Sequence, residues 1–173
     1  MLLRFTVLLM IAVPLSSIAP PAAASPPTWA MPLLSDALAA HQSGRFTQAA
    51  HNFRRLAGQG SAVAETMLGV MASRGQGMAR DPATAATWWL RAARRGYPPA
   101  QLALARACAE GSGIARDRGS AWVWARLAAN RGDAPTAAKA TALATRLARE
   151  FDAPTLTLLD QRLQQWRPWA TLE

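Results

Sequence analysis

AETMLGVMASRGQGMARDPATAATWWLRAARRGYPP (64–99) and AQLALARACAEGSGIARDRGSAWVWARLAANRGDAP (100–135) stand head to tail and align without a gap. Gly75 falls on Gly111, Gly77 on Gly113, Asp81 on Asp117, Trp88 on Trp124, and Gly96 on Gly132. The alanine pair Ala92 and Ala93 falls on Ala128 and Ala129. A fixed offset of 36 residues across so many uncommon residues marks two copies of one supersecondary unit. Periods of this length belong to stacked repeats, because one such unit cannot bury its apolar face alone. One further step back finds a weaker half-copy, with Ala49, Phe53, Ala57 and Gly60 in the places of Ala85, Trp89, Ala93 and Gly96.

Each copy reads as two antiparallel helices. Ala64, Met67, Leu68 and Met71 recur at i, i+3, i+4 and i+7, which is one face of a helix, and Ala100, Ala103, Leu104 and Ala107 repeat it. Gly75 and Gly111 then stand where a helix ends in a left-handed residue, a conformation glycine adopts without steric penalty. Asp81 followed by Pro82 is a helix start: the carboxylate accepts from free backbone N–H groups, and proline suits the first turn. Asp117 repeats the cap without the proline. The second helix presents Ala85, Trp88 and Ala92 on one face and stops at Gly96. Two more helices, about 135–151 and 154–166, are expected to cover the open end of the stack.

Composition agrees. Among 173 residues, 51% are hydrophobic and 17% charged, which excludes a charge-rich disordered chain and a multi-span membrane protein. Forty alanines against four Phe and one Tyr favour helices packed closely through small side chains. Cys108 is the single cysteine, so neither an internal disulfide nor a multi-cysteine zinc site is available. Residues 1–24 read as a signal peptide, with an uncleaved N-terminal anchor as the alternative: Arg4 precedes an apolar run from Phe5 to Val13, and Ala22, Ala23 and Ala24 suit cleavage before Ser25. Residues 25–34 read as a proline-rich extended leader. The remaining frame is a half-repeat at 35–63, repeats at 64–99 and 100–135, capping helices at 136–168, and a tail at 169–173.

The set Ala64, Leu68, Gly69, Gly75, Gly77, Asp81, Trp88, Ala92 and Gly96 resembles the Sel1-like repeat, a relative of the tetratricopeptide repeat, and 100–132 resembles a second. The resemblance implies an all-α fold: a short right-handed α/α superhelical solenoid of antiparallel helix pairs, with about eight helices after the signal peptide. It also implies a scaffold for other proteins, often in or beyond the cell envelope, without shared catalytic machinery. Two departures stand out. The aromatic residue usual near the end of the first helix is Ala72 and then Cys108, and Gly69 becomes Ala105. Some exported members staple each repeat with a cysteine pair, a device Cys108 has no mate to form.

Sharper chemistry finds little support. The Gly75-Gln76-Gly77 and Gly111-Ser112-Gly113 loops lack the preceding strand and following Lys-Ser/Thr of a phosphate loop, and read as repeat turns. His41 and His51 lack zinc-protease spacing; His41 with Asp36 and Ser43 lacks any Gly-x-Ser-x-Gly elbow. Cys108, beside Leu104 and Ala105 on an apolar helical position, reads as a buried, inert thiol, with intermolecular pairing or a reactive thiol as the rival. Trp166, followed by Trp169, reads as a lid on the last helix, with a membrane-interface foothold as its rival. The expectation is therefore a protein that is not an enzyme and takes no cofactor or metal.

Residues 45–131 hold 13 Arg and 4 acidic residues, whereas 132–173 balance to zero, so the basic field comes from the repeats. Such a field speeds encounter with acidic partners and weakens with salt. The expected function is an exported adaptor, periplasmic or secreted, that binds another envelope protein with an acidic contact surface. Helical phase puts Glu65, Thr66, Val70, Ser73, Gln101, Arg106 and Ala109 off the packed stripe, on the concave face, with Arg106 the foremost candidate. The alternative is an arginine-driven binder of cell-wall polymer or anionic lipid; export disfavours nucleic acid.

Overall fold

A computed structural model describes residues 30–168, so the signal-peptide reading and the 169–173 tail lie outside the described residues. Among the described residues there are eight α-helices and no strand. They are α1 (Ala30–Gln42), α2 (Phe46–Gly58), α3 (Ala62–Arg74), α4 (Pro82–Arg94), α5 (Pro98–Glu110), α6 (Arg118–Arg131), α7 (Ala134–Ala148) and α8 (Ala153–Gln165). The starts of α2, α4 and α6 keep the 36-residue spacing, and so do those of α3, α5 and α7. The period therefore extends beyond the two full copies. α1 begins inside the stretch expected to be an extended leader: Pro32 falls in the first turn, where its missing N–H costs no helical bond.

The ends of the helices follow the sequence signals. Gly75 and Gly111 are left-handed, with φ of 72° and 76°, and return their N–H groups to Met71 O and Ala107 O. Asp81 Oδ1 accepts from Ala83 N at 2.9 Å and Thr84 N at 3.2 Å, and Asp117 accepts from Ser120 N at 2.9 Å. Asp133 and Asp152 cap α7 and α8 the same way, through Thr136 N and Thr155 N.

These bonds hold all four carboxyls below their ordinary value of 3.8. The Thr84 hydroxyl does so for Asp81, and Thr136 and Thr155 do so for Asp133 and Asp152. At Asp117 partial burial is the largest single influence and works in the opposite direction, but the Ser120 bonds, the Arg162 charge and the Gly119 N–H together outweigh it. A depressed folded pKa means the stability is present above the ordinary value and is lost as pH falls through the folded one. The melting temperature is thus expected to drop as pH goes from about 5 to about 2. Replacing all four by asparagine, which still caps, should flatten that slope. An unchanged slope in circular-dichroism melts would place the effect in other carboxylates.

The core divides at the first full repeat. An N-terminal cluster runs from Ala37 to Met71 and a C-terminal one from Ala92 to Trp166. Two neighbouring tryptophans stitch them together: Trp88 packs on the first and Trp89 on the second. Gly77 and Gly113 join units through backbone. A Cβ on Gly77 would lie 2.5 Å from Phe46 O at the start of α2, and one on Gly113 would land on the Pro82 carbonyl at the start of α4. The Gly-x-Gly loop of each full repeat thus rests on the second helix of the preceding unit.

The last two helices depart from the pairing seen earlier. α1 packs on α2, α3 on α4 and α5 on α6, but α8 packs on α6 rather than closely on α7. Leu159 and Trp166 anchor it there, with Trp166 buried and edge-on to Trp124 at 6.2 Å between ring centroids. Arg131 covers the Trp166 ring at 5.3 Å. The lid reading of Trp166 fits this burial, which leaves that ring no part in a membrane foothold.

Candidate interaction surface

The expected binding row separates into two groups. Glu65 and Gln101 are 0% exposed and Thr66 is 8% exposed, so these three are corrected from open-face residues to buried ones, and Ala109 is buried with them. The physical reason is that a helix inside a stack packs on two sides. Residues 64, 67, 68 and 71 form one stripe, while Glu65, Gly69 and Ala72 form another that faces α4. The Glu65 carboxylate is held by Arg91 Nη2 at 3.0 Å and Arg95 Nε at 3.2 Å, which ties α3 to the end of α4. Gln101 occupies the same place one repeat later, and its Nε2 donates to Ala93 O at 3.2 Å. Thr66 Oγ1 donates to Ala62 O at 2.7 Å, and Thr66 O accepts from Trp89 Nε1 at 3.3 Å. The sequence signal for this second stripe was the small pair Gly69 and Ala72, four and seven residues after Glu65.

Val70 and Ser73 are half-buried, with Ser73 Oγ donating to Val70 O, whereas Arg106 is exposed. Arg106 lines an open groove of about 460 Å³ between α5 and α7 with Glu110, Lys139, Ala142, Leu143 and Arg146. Three cations thus face one carboxylate across a strip of apolar carbon. Sequence reasoning missed Lys139 and Arg146, which lie in a segment whose total charge is zero. Their spacing of seven, two helical turns, was the signal available.

The remaining sequence candidates are spread apart. His41 pairs Nε2 with Gln76 Oε1 at 3.1 Å and meets Phe46 edge-on, while His51 is exposed. Ser43 donates its hydroxyl to Ala39 O and Ala40 O at the end of α1, not to His41. The Cys108 thiol is pushed up to about 11, by burial first and then by the Asp117 charge. Among the described residues no group of three or more His, Cys, Asp or Glu side chains is placed to hold a metal ion. The repeat-defining positions Gly75, Gly77, Gly96, Gly111 and Gly113 all have positive φ, whereas Gly132 has φ −71° and ends a helix one residue longer than α4.

The family model of the Sel1 repeat matches residues 62–97 and 98–133. The chain carries two Sel1 repeats. Both begin on the first residue of a first helix, α3 or α5, two residues ahead of the frame read from sequence. Solved structures of similar fold include c5321, a protective antigen present in uropathogenic Escherichia coli strains displaying an SLR fold. That likeness has a TM-score of 0.72 at 24% identity, covering 80% of this chain and 30% of that one. A Sel1 repeat protein from Oxalobacter formigenes gives a TM-score of 0.57 at 21% identity, covering 76% of this chain and 61% of that one. At these identities the likeness is one of fold, and this chain spans less than two thirds of either length. Comparison with curated proteins found no match. The Sel1 helical-repeat fold is generally used for protein–protein interaction, and Sel1-repeat proteins are generally non-catalytic scaffolds. No helix among the described residues is long and apolar enough to cross a membrane.

Proposed function

We propose that this chain is an exported, non-catalytic adaptor that binds an acidic segment of another envelope protein along its first helices, with the α5–α7 groove as the principal contact. The observation that carries the reading is the convergence of Arg106, Lys139 and Arg146 on one groove opposed only by Glu110. An extended acidic segment fits such a groove, because its backbone lies along Ala142 and Leu143 while its carboxylates meet the flanking cations. Export rests on the N-terminal reading: a basic start, a short apolar run, and small residues before Ser25. A non-catalytic role rests on the scattering of the histidines, Ser43 and Cys108 over separate surroundings.

The test is capture of proteins from an envelope extract by the chain from Ser25 onward, across a salt series, followed by titration of the captured partner. Arg106→Glu is expected to weaken that affinity by about tenfold, since reversing one charge in a matched patch costs on the order of 1–2 kcal/mol. Unchanged affinity would move the contact off this groove. Capture that disappears with salt and is displaced by cell-wall polymer or anionic vesicles would instead assign the arginines to a polyanion surface.

A further inference from the structure

A second cavity, of about 450 Å³, opens where α7 and α8 splay apart over α6. It is separate from the α5–α7 groove and shares no lining residue with it. Its floor is apolar, formed by Trp122, Leu156 and alanines, and its rim carries Arg126, Asn130, Thr141, Thr145 and Asp160. A pocket of this size with an apolar floor and a few convergent polar groups has the form of a small-molecule site.

The repeat register shows that this cavity is more than a gap left by the last helix. The eighth residues after the caps of α3 and α4 are Gly69 and Trp89, which pack together, and the corresponding pair in α5 and α6 is Ala105 and Ala125, both fully buried. In α7 and α8 the same positions, eight after Asp133 and eight after Asp152, are Thr141 and Asp160. Polar groups thus stand where the two complete repeats pack glycine, alanine or tryptophan against one another. None of Asn130, Thr141, Thr145 and Asp160 makes a side-chain hydrogen bond or ion pair among the described residues. Arg126 lies over the Trp122 ring at 5.1 Å and has no carboxylate partner there.

From these groups we infer that the cavity binds a small zwitterion, a free amino acid or a short peptide held by both of its charged ends. Arg126, a planar donor fork with no acceptor, receives the α-carboxylate; Asp160, an acceptor, receives the α-ammonium. Asn130 and the two threonine hydroxyls supply neutral donors and acceptors between them, and the floor takes a small apolar side chain. The lining has no net charge, so a polyanion would meet Asp160 unfavourably. A sugar would need an open aromatic face, whereas Trp122 is 3% exposed and covered by Arg126.

The inference is independent of the adaptor reading and is tested by titrating L-leucine and L-alanyl-L-alanine into the chain, followed by calorimetry and amide chemical shifts. Saturable binding is expected, with shifts centred on α6, α7 and α8. N-acetylation or C-amidation of the dipeptide, Arg126→Ala and Asp160→Asn are each expected to weaken it by about tenfold or more, the scale of one charge-assisted contact. Arg106→Glu should leave it unchanged. The inference is overturned by no binding up to millimolar concentration, or by acetylated and amidated dipeptides that bind as well as the free one. Melting curves verify that the variants fold; Arg126 is exposed and Asp160 only half-buried, so neither change disturbs the core.

Discussion

Gly113→Ala is expected to cost about 3–5 kcal/mol of folding stability, a combination of left-handed backbone strain and overpacking. The residue has φ 71°, and its missing side chain leaves room for backbone: a Cβ would coincide with the Pro82 carbonyl and crowd Ala83 N. Backbone at the first turn of a helix cannot rotate aside as a side chain can, so relief requires moving the loop off α4. Gly111 is the control. It has φ 76°, but a Cβ there would meet nothing closer than Arg116 Cβ at 3.2 Å, with backbone no nearer than 3.7 Å, so Gly111→Ala should cost about 1–2 kcal/mol, mainly from conformation. Urea unfolding of both variants separates the two effects. Equal losses would mean that contact with the preceding unit adds nothing. A shallower transition for Gly113→Ala would show that the repeats have begun to unfold separately, as expected when a nearest-neighbour contact in a repeat array is lost.

This case also shows how far the sequence carries. The period, the capping aspartates and the turn glycines were legible because each is a local requirement repeated at a fixed interval. What Gly113 touches was not legible, because its partner lies in the preceding unit. Glu65 and Gln101 illustrate the same boundary. By composition a glutamate and a glutamine belong on an open face, yet both are buried, since α3 and α5 have neighbours on two sides and the side chains find Arg91, Arg95 and the Ala93 carbonyl there. Arg106 was placed on the open surface because its phase sets it away from both stripes. The groove it shares with Lys139 and Arg146 needed the stacking of α7 on α5 to become visible. The splay of α8 had its mark in the 36-residue period: Leu147 and Arg149 stand where the repeats carry their two turn glycines, and α8 begins 35 rather than 36 residues after α6.

The exchange of Gly69 for Ala105 between repeats, a plain departure in sequence, acquires a partner in the fold, and this predicts a reversal of sign. A Cβ on Gly69 would fall inside the Trp89 indole, while the ring is fixed by its Nε1 bond to Thr66 O at 3.3 Å. One repeat later Ala105 is matched by Ala125 at the tryptophan's position, so small-and-large is replaced by two methyl groups of moderate size. Gly69→Ala alone is expected to destabilise by about 2–3 kcal/mol, because displacing the indole breaks its hydrogen bond and its packing on the C-terminal core. Trp89→Ala alone should cost about 2–4 kcal/mol by opening a cavity. In the Trp89→Ala background, however, Gly69→Ala adds a methyl group into vacated space and replaces a helical glycine, so there it should stabilise by about 1 kcal/mol. The double variant, carrying the second repeat's own pair, is therefore more stable than Trp89→Ala. A cycle in which the two losses simply add would show that Gly69 and Trp89 do not share the contact, since independent sites couple by no more than about 0.5 kcal/mol.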